Sequence, residues 1–162
     1  MKVIGIDPGL ASTGVAVVYG NPNRISGYSF GTIRTSKDRP IASRLHHIYN
    51  EIQKIIHKEL PDIIVIEDIF SLQKYPDSGI TLGKVCGVLI LSGYLNDVPT
   101  VEIPAKVAKQ VLTGNGNATK NQVEKAVRHL LDRPTPIRPS HSADALSFAI
   151  IGLYRSQDRL NR

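Results

Sequence analysis

The 162-residue sequence predicts one α/β domain: a five-stranded mixed sheet, three antiparallel strands then parallel ones, flanked by helices. Three observations predict it. The first thirty-odd residues hold three strand-like runs joined by turn-sized gaps. A segment of helical period follows them. An unbroken apolar run, Ile63 to Ile66, comes next, and strand–helix–strand is the pattern of a parallel crossover.

Taken in order, Val3-Ile4-Gly5-Ile6 reads as a buried strand that delivers Asp7 where Pro8-Gly9 turns the chain. Asp disfavours strands, so its place at the mouth of one needs a reason; a turn cap and a functional carboxylate both supply one. Gly9 and Gly14 leave little bulk there, so a ligand is expected to approach the backbone closely. Val15–Tyr19 is a second strand, Gly20–Asn23 a turn cluster, and Ile25–Arg34 a third strand with Tyr28 and Phe30 on one face. Tight turns make an antiparallel meander of the three.

From Pro40 the period changes: Ile41, Leu45, Ile48, Ile52 and Ile55 fall at helical spacing, and Arg44, His47, Glu51, Lys54 and Lys58 lie elsewhere. Leu60-Pro61 ends that helix. The strand Ile63–Ile66 ends in Glu67-Asp68. Paired in parallel with the first strand, it brings Glu67 to the same sheet edge as Asp7, where α/β folds bind ligands. Ser71–Ser78 is a polar loop. Ile80–Leu95 is an apolar helix whose Gly83 and Gly87 permit close backbone packing, as a core helix or a subunit interface.

Thr100–Ile103 is a fifth strand, and Pro104 opens a helix with Lys106 and Lys109 on one face and Val107, Val111 and Leu112 on the other. A loop from Thr113 to Ala118 follows. Thr119 and Gln122 form a capping-box pattern for a helix carrying Val123, Val127 and Leu130. Gly114 and Gly116 ahead of that capped start make a candidate phosphate cradle. Residues 132–139 are a Pro- and Arg-rich linker, and Ser140 is the expected N-cap of a last helix with Leu146, Ile150 and Leu153 facing the core. A single domain is expected over residues 1–155, with a polar tail over 156–162.

The net charge of +6 is uneven: residues 101–162 hold ten Lys/Arg against five Asp/Glu, and the first hundred hold ten against nine. A basic half beside a few isolated acids suits a polyanionic partner. The single cysteine, Cys86, lies in an apolar run and reads as core, so no intrachain disulfide framework is expected. Met1-Lys2 leads straight into the first strand, and the longest apolar run, Val85–Leu95, is about half a membrane span. The expectation is a cytoplasmic protein with no membrane partner.

His141 and Asp144 stand three apart at the start of the last helix and point the same way, as metal ligands often do. Either alone has an ordinary account, a surface histidine or an acid complementing the helix dipole. The functional case is convergence with Asp7 and Glu67 from two strand ends. Oxygen ligands with one imidazole suit Mg²⁺ or Mn²⁺, and two such ions can drive phosphodiester cleavage.

Ile6-Asp7-Pro8-Gly9, Val65-Ile66-Glu67 with Phe70 just after, Gly114-x-Gly116-x-Ala118-x-Lys120, and Pro139 through Leu146 together resemble the RuvC family of Holliday junction resolvases. Each motif is weak alone, but four in order over nearly the whole chain are specific. The resemblance implies an RNase H-like fold and a homodimer that nicks a four-way DNA junction symmetrically, with divalent metal, in recombination and DNA repair. It also implies work beside the RuvA–RuvB branch-migration motor. By the same resemblance, Asp7 touches both ions of a Mg²⁺ pair, Glu67 one, and His141 with Asp144 the other. Phe70 stacks on bases of the opened junction. Lys109 and Lys120 match positions that contact DNA near the scissile phosphate; Lys106 shares the face of Lys109, and Lys74 and Lys84 flank the loop after Glu67. Many members carry Asp where this chain has His141, and a subset carries His. Imidazole is softer and neutral, so relatively strong Mn²⁺ activity and a loss of activity on acidification are expected.

Three alternatives are separable. An RNA nuclease of the YqgF type shares the fold, but such proteins are shorter and lack a matching start to the last helix. A sugar-kinase or actin-like ATPase needs a second domain, for which 162 residues leave no room. A catalytically silent junction binder has no need to keep four candidate ligands.

Overall fold

A computed structural model describes residues 1–68 and 76–160. Phe70 and Lys74 lie outside the described residues. The sheet contains β1 (Lys2–Asp7), β2 (Ser12–Asn21), β3 (Arg24–Arg34), β4 (Ile63–Asp68) and β5 (Thr100–Pro104). Its strand order is β3-β2-β1-β4-β5. The meander β1–β3 is antiparallel, and β4 joins β1 in parallel, with Ile6 beside Ile66. β5 extends the parallel half. The expected mixed sheet is therefore present, and Asp7 and Glu67 leave it side by side.

Helix α1 (Ile41–Glu59) and α2 (Pro76–Tyr94) cover one face. Helices α3 (Ala105–Thr113), α4 (Lys120–Leu130) and α5 (Ser140–Leu160) cover the other. Alternation along the strands sorts the core accordingly. Ile4, Ile6, Ile64 and Ile66 pack with Ile48, Ile52, Val85 and Leu89 from α1 and α2. Val3, Val65, Ala16 and Val18 pack with Val127, Leu146, Ile150 and Leu153 from α4 and α5. α1 ends as expected, with Leu60 left-handed (φ 48°) ahead of Pro61. α5 begins at Ser140 itself, so its cap position falls on Pro139, and it runs through residues 156–160, where the sequence predicts a tail.

α5 lies directly against the sheet because two glycines admit it. A Cβ on Gly5 would stand 2.2 Å from the Ala145 carbonyl oxygen, and one on Gly14 would stand 2.1 Å from that of His141. Gly14 therefore makes room for the first turn of α5, not for a ligand. A Cβ on Gly9 would meet Ser12 O at 2.4 Å, so that position too is filled by the chain's own backbone.

Candidate active site at the sheet edge

Each acid arrives from a different element. Asp7 ends β1 and is buried, Glu67 lies near the end of β4 and is half-buried, and Asp144 sits in the first turns of α5. His141 comes from the same turn as Asp144, and its Nδ1 lies 2.6 Å from Asp7 Oδ2. With the proton on Nδ1 donated to the carboxylate, Nε2 keeps its lone pair for another partner. Lys120, at the start of α4, donates to Asp144 Oδ2 at 3.0 Å.

Burial raises the pKa of Asp7 to about 6 and that of Glu67 to about 8; for Glu67, the neighbouring Asp7 and Asp144 add to the rise. Glu67 thus holds a proton and donates it to Asp7, the usual outcome when two carboxylates share a dry site. Burial alone would pull Lys120 down, but its hydrogen bond to Asp144 and the charges of Asp144, Asp7 and Glu67 hold it above its ordinary value. Among the described residues, no three His, Cys, Asp or Glu side chains converge tightly enough to form a ready metal cage. The four side chains instead pair with one another, with a proton or with Lys120. The donor set fits a hard divalent cation: three carboxylates and an imidazole from two strand ends and one helix turn, with mutual repulsion that a cation would relieve.

A cleft of about 110 Å³ opens beside the acids, lined in part by Glu67, Asp144, Lys109 and Lys120. Two of the predicted lysines therefore face the site. Lys106 is exposed and rests against Gly116, and Lys84 is exposed on α2. The Gly114–Gly116 loop is not an open backbone cradle. The Gly114 N–H donates to Gln110 O, that of Gly116 to Gln110 Oε1 and that of Asn117 to Asn115 Oδ1. The Asn115 and Ala118 amides donate within the loop, and Thr119 closes the predicted capping box with Gln122. With its amides used internally, the loop sets the start of α4 and hence the base of Lys120.

Sequence reasoning passes over the residues that seat α5. Glu124 Oε1 accepts the Ile137 N–H at 2.9 Å, and Arg128 Nη1 donates to Pro134 O at 3.1 Å. The two also pair, at 3.2 Å. They tie the linker before His141 to α4. The only signal is their i, i+4 spacing, which reads equally well as a solvated helix pair.

Residues 3–152 match the family described as crossover junction endodeoxyribonuclease RuvC. The crossover junction endodeoxyribonuclease RuvC of Carboxydothermus hydrogenoformans is 38% identical over 157 residues, which cover 96% of this chain and 97% of that protein. The fold matches the Thermus thermophilus RuvC structure with a TM-score of 0.87 at 27% identity, covering 98% and 97% of the two chains. It matches T. thermophilus RuvC in complex with Holliday junction substrate with a TM-score of 0.88 at 28% identity, covering 98% and 96%. With a match over nearly its whole length and the acids in place at the sheet edge, the chain belongs to the RuvC family of crossover junction endodeoxyribonucleases.

Proposed function

We propose that the protein resolves four-way DNA junctions by paired, symmetric hydrolysis of phosphodiester bonds, in recombination and DNA repair. The observation that carries this reading is the meeting of Asp7, Glu67, His141 and Asp144 at one sheet edge, with Lys109 and Lys120 in the adjoining cleft. Those four side chains would hold two Mg²⁺ ions, with Mn²⁺ as a substitute. The bound cations would supply charge neutralisation and water activation. Lys109 and Lys120 would hold the phosphate against the acids, and His141 is kept in one orientation by its Nδ1 contact with Asp7. Lys106 and Lys84 extend the basic surface, and Phe70 and Lys74 complete the DNA-facing set by the family resemblance. Gly114 and Gly116 contribute by positioning lysines.

The reading includes a homodimer, supported by the outer face of α2. Ile80, Ile90, Leu91 and Tyr94 are exposed there, with exposed Gly83 and Gly87 between them at helical spacing. Among the described residues, no helix is long and apolar enough to cross a membrane. The reading also includes cooperation with a RuvA–RuvB motor, which the family resemblance implies.

The test is cleavage of a synthetic four-way junction beside duplex and structured RNA of equal length, in Mg²⁺, Mn²⁺ or EDTA. Paired nicks in the junction that need metal and vanish in Asp7→Asn are expected. Binding without nicking, or cleavage of RNA alone, overturns the reading.

A further inference from the structure

A second cationic site lies along the same sheet edge, apart from the acids and their lysines. Asp7 pairs across the sheet with Gly14, and Gly14 with Thr32; two pairs further out, Ser12 faces Arg34, the last residue of β3. Arg34, Arg39, Arg44 and His47, with the hydroxyl residues Thr35, Ser36 and Ser43, line a cavity of about 280 Å³ there, at the start of α1. No acid lines it. Its floor is tied to the turn that follows Asp7: Thr35 Oγ1 donates to Leu10 O at 2.5 Å, and the Thr35 N–H donates to Ala11 O. Arg44 Nε in turn donates to Thr35 Oγ1 at 2.8 Å.

Two acids lie close by. Asp38 hydrogen-bonds with Ser36 of the lining, and Glu51, one turn beyond His47, pairs with Lys54 at 2.6 Å. Among the described residues, none of the three arginines forms an ion pair with a carboxylate. α1 has no acid in its first turn and no side-chain cap, so the helix dipole adds to the positive field. Three arginines around an open cavity are held together against their own repulsion, with His47 beside them, and arginine forks match phosphate oxygens.

We propose that this cavity is a second phosphate-binding subsite, which grips the DNA backbone on the β3 side of the catalytic acids. Lys109 and Lys120 grip it on the opposite side. Two strand spacings put the subsite roughly 10 Å from Asp7 along the edge, about three base-pair rises of a duplex arm. A strand laid along the edge meets arginines, acids and lysines in that order. The inference rests on the DNA-nuclease reading and deepens it.

The test is binding of a labelled duplex and a four-way junction in EDTA, between 50 and 200 mM salt. The triple variant Arg34→Ala/Arg39→Ala/His47→Ala is compared with wild type and with Arg24→Ala at the other end of β3; Arg44 is kept because it braces Thr35. The log–log salt slope should fall by about 0.9 for each phosphate that the variant no longer neutralises, and affinity should drop at least about tenfold on both DNAs, with Arg24→Ala like wild type. Arg34→Lys/Arg39→Lys should keep most of the slope, and unchanged thermal melting in the triple variant would rule out misfolding. A wild-type slope in the triple variant, or an equal fall in Arg24→Ala, overturns the subsite. The resolvase reading is judged separately, by wild-type nicking of the junction: absent nicking with the slope still reduced would sink that reading and leave the subsite standing.

Discussion

Glu67 shows most directly that the site is built for something other than stability. Its native pKa is raised to about 8 from an ordinary 4.5, first by burial and then by Asp7. Between those values the folded state binds more protons than the unfolded one, so stability falls as pH rises. The contribution of the protonated carboxyl is fully present below about pH 4.5 and lost as pH climbs through 8. Glu67→Gln, neutral throughout, should therefore melt like wild type in EDTA at pH 5 and higher than wild type at pH 8. The gap should be roughly 2–4 °C for each kcal/mol of repulsion removed. A divalent cation should raise wild-type Tm at pH 8 by more than that of the variant, which keeps Asp7, His141 and Asp144 for one ion, while the variant loses junction nicking. A melting curve of Glu67→Gln parallel to wild type at every pH would count against the raised carboxyl. His141 invites the complementary change. His141→Asp adds a hard anionic ligand, so it should shift preference from Mn²⁺ toward Mg²⁺. Nicking rates in the two metals check this; an unchanged ratio would mean that His141 is no ligand.

At the scale of elements, the glycines separate the positioning of the site from its chemistry. A Cβ on Gly14 meets the carbonyl of His141 at 2.1 Å, so Gly14→Ala must push the first turn of α5 away from β2 and carry His141 and Asp144 with it. Overpacking of this kind costs about 1–3 kcal/mol. Gly14→Ala is expected to cost that much stability, visible in a urea melt, and to reduce nicking by far more than the stability loss explains. Gly31→Ala on the neighbouring strand, where a Cβ meets nothing within 4 Å, should leave both unchanged. Much of this level is legible in the sequence. The meander, the crossover, both acid-bearing strand ends and the capping box are each written in local period or turn chemistry. Gly14 reads as space for a ligand because sequence shows that a side chain is missing, not which backbone fills the gap. The phosphate cradle at Gly114–Gly116 misleads for a related reason: Gln110, a surface residue of α3, takes the Gly116 amide, and nothing in its spacing announces that. The Arg34–His47 cavity is equally hidden, since its residues read one by one as the polar face of α1 and the end of a strand.

For the whole molecule, the feature to account for is the exposed outer face of α2. Ile80, Gly83, Gly87, Ile90, Leu91 and Tyr94 all fall within one side of that helix, and Leu91 and Tyr94 are 50% and 78% exposed. A Cβ on Gly87 meets nothing within 4 Å in the chain itself. The apolar surface is therefore not spent on the protein's own core, and small residues at its centre allow a second backbone to come close. Two copies joined there would carry two acid clusters, as paired cuts in one junction require. Leu91→Glu places a charge in the middle of that face without touching the core residues Val85 and Leu89. Removing a central anchor of about 2 kcal/mol weakens self-association roughly thirtyfold. Sedimentation should show wild type as a dimer and the variant as a monomer at the same concentration. Melting should change little beyond its dependence on concentration. Because each protomer keeps its own Asp7, Glu67, His141 and Asp144, the variant should still nick when concentrated, but its two cuts should become independent, leaving singly nicked junctions to accumulate. A variant that stays dimeric, or a monomer that still cuts both strands together, would place the symmetry of the reaction somewhere other than α2.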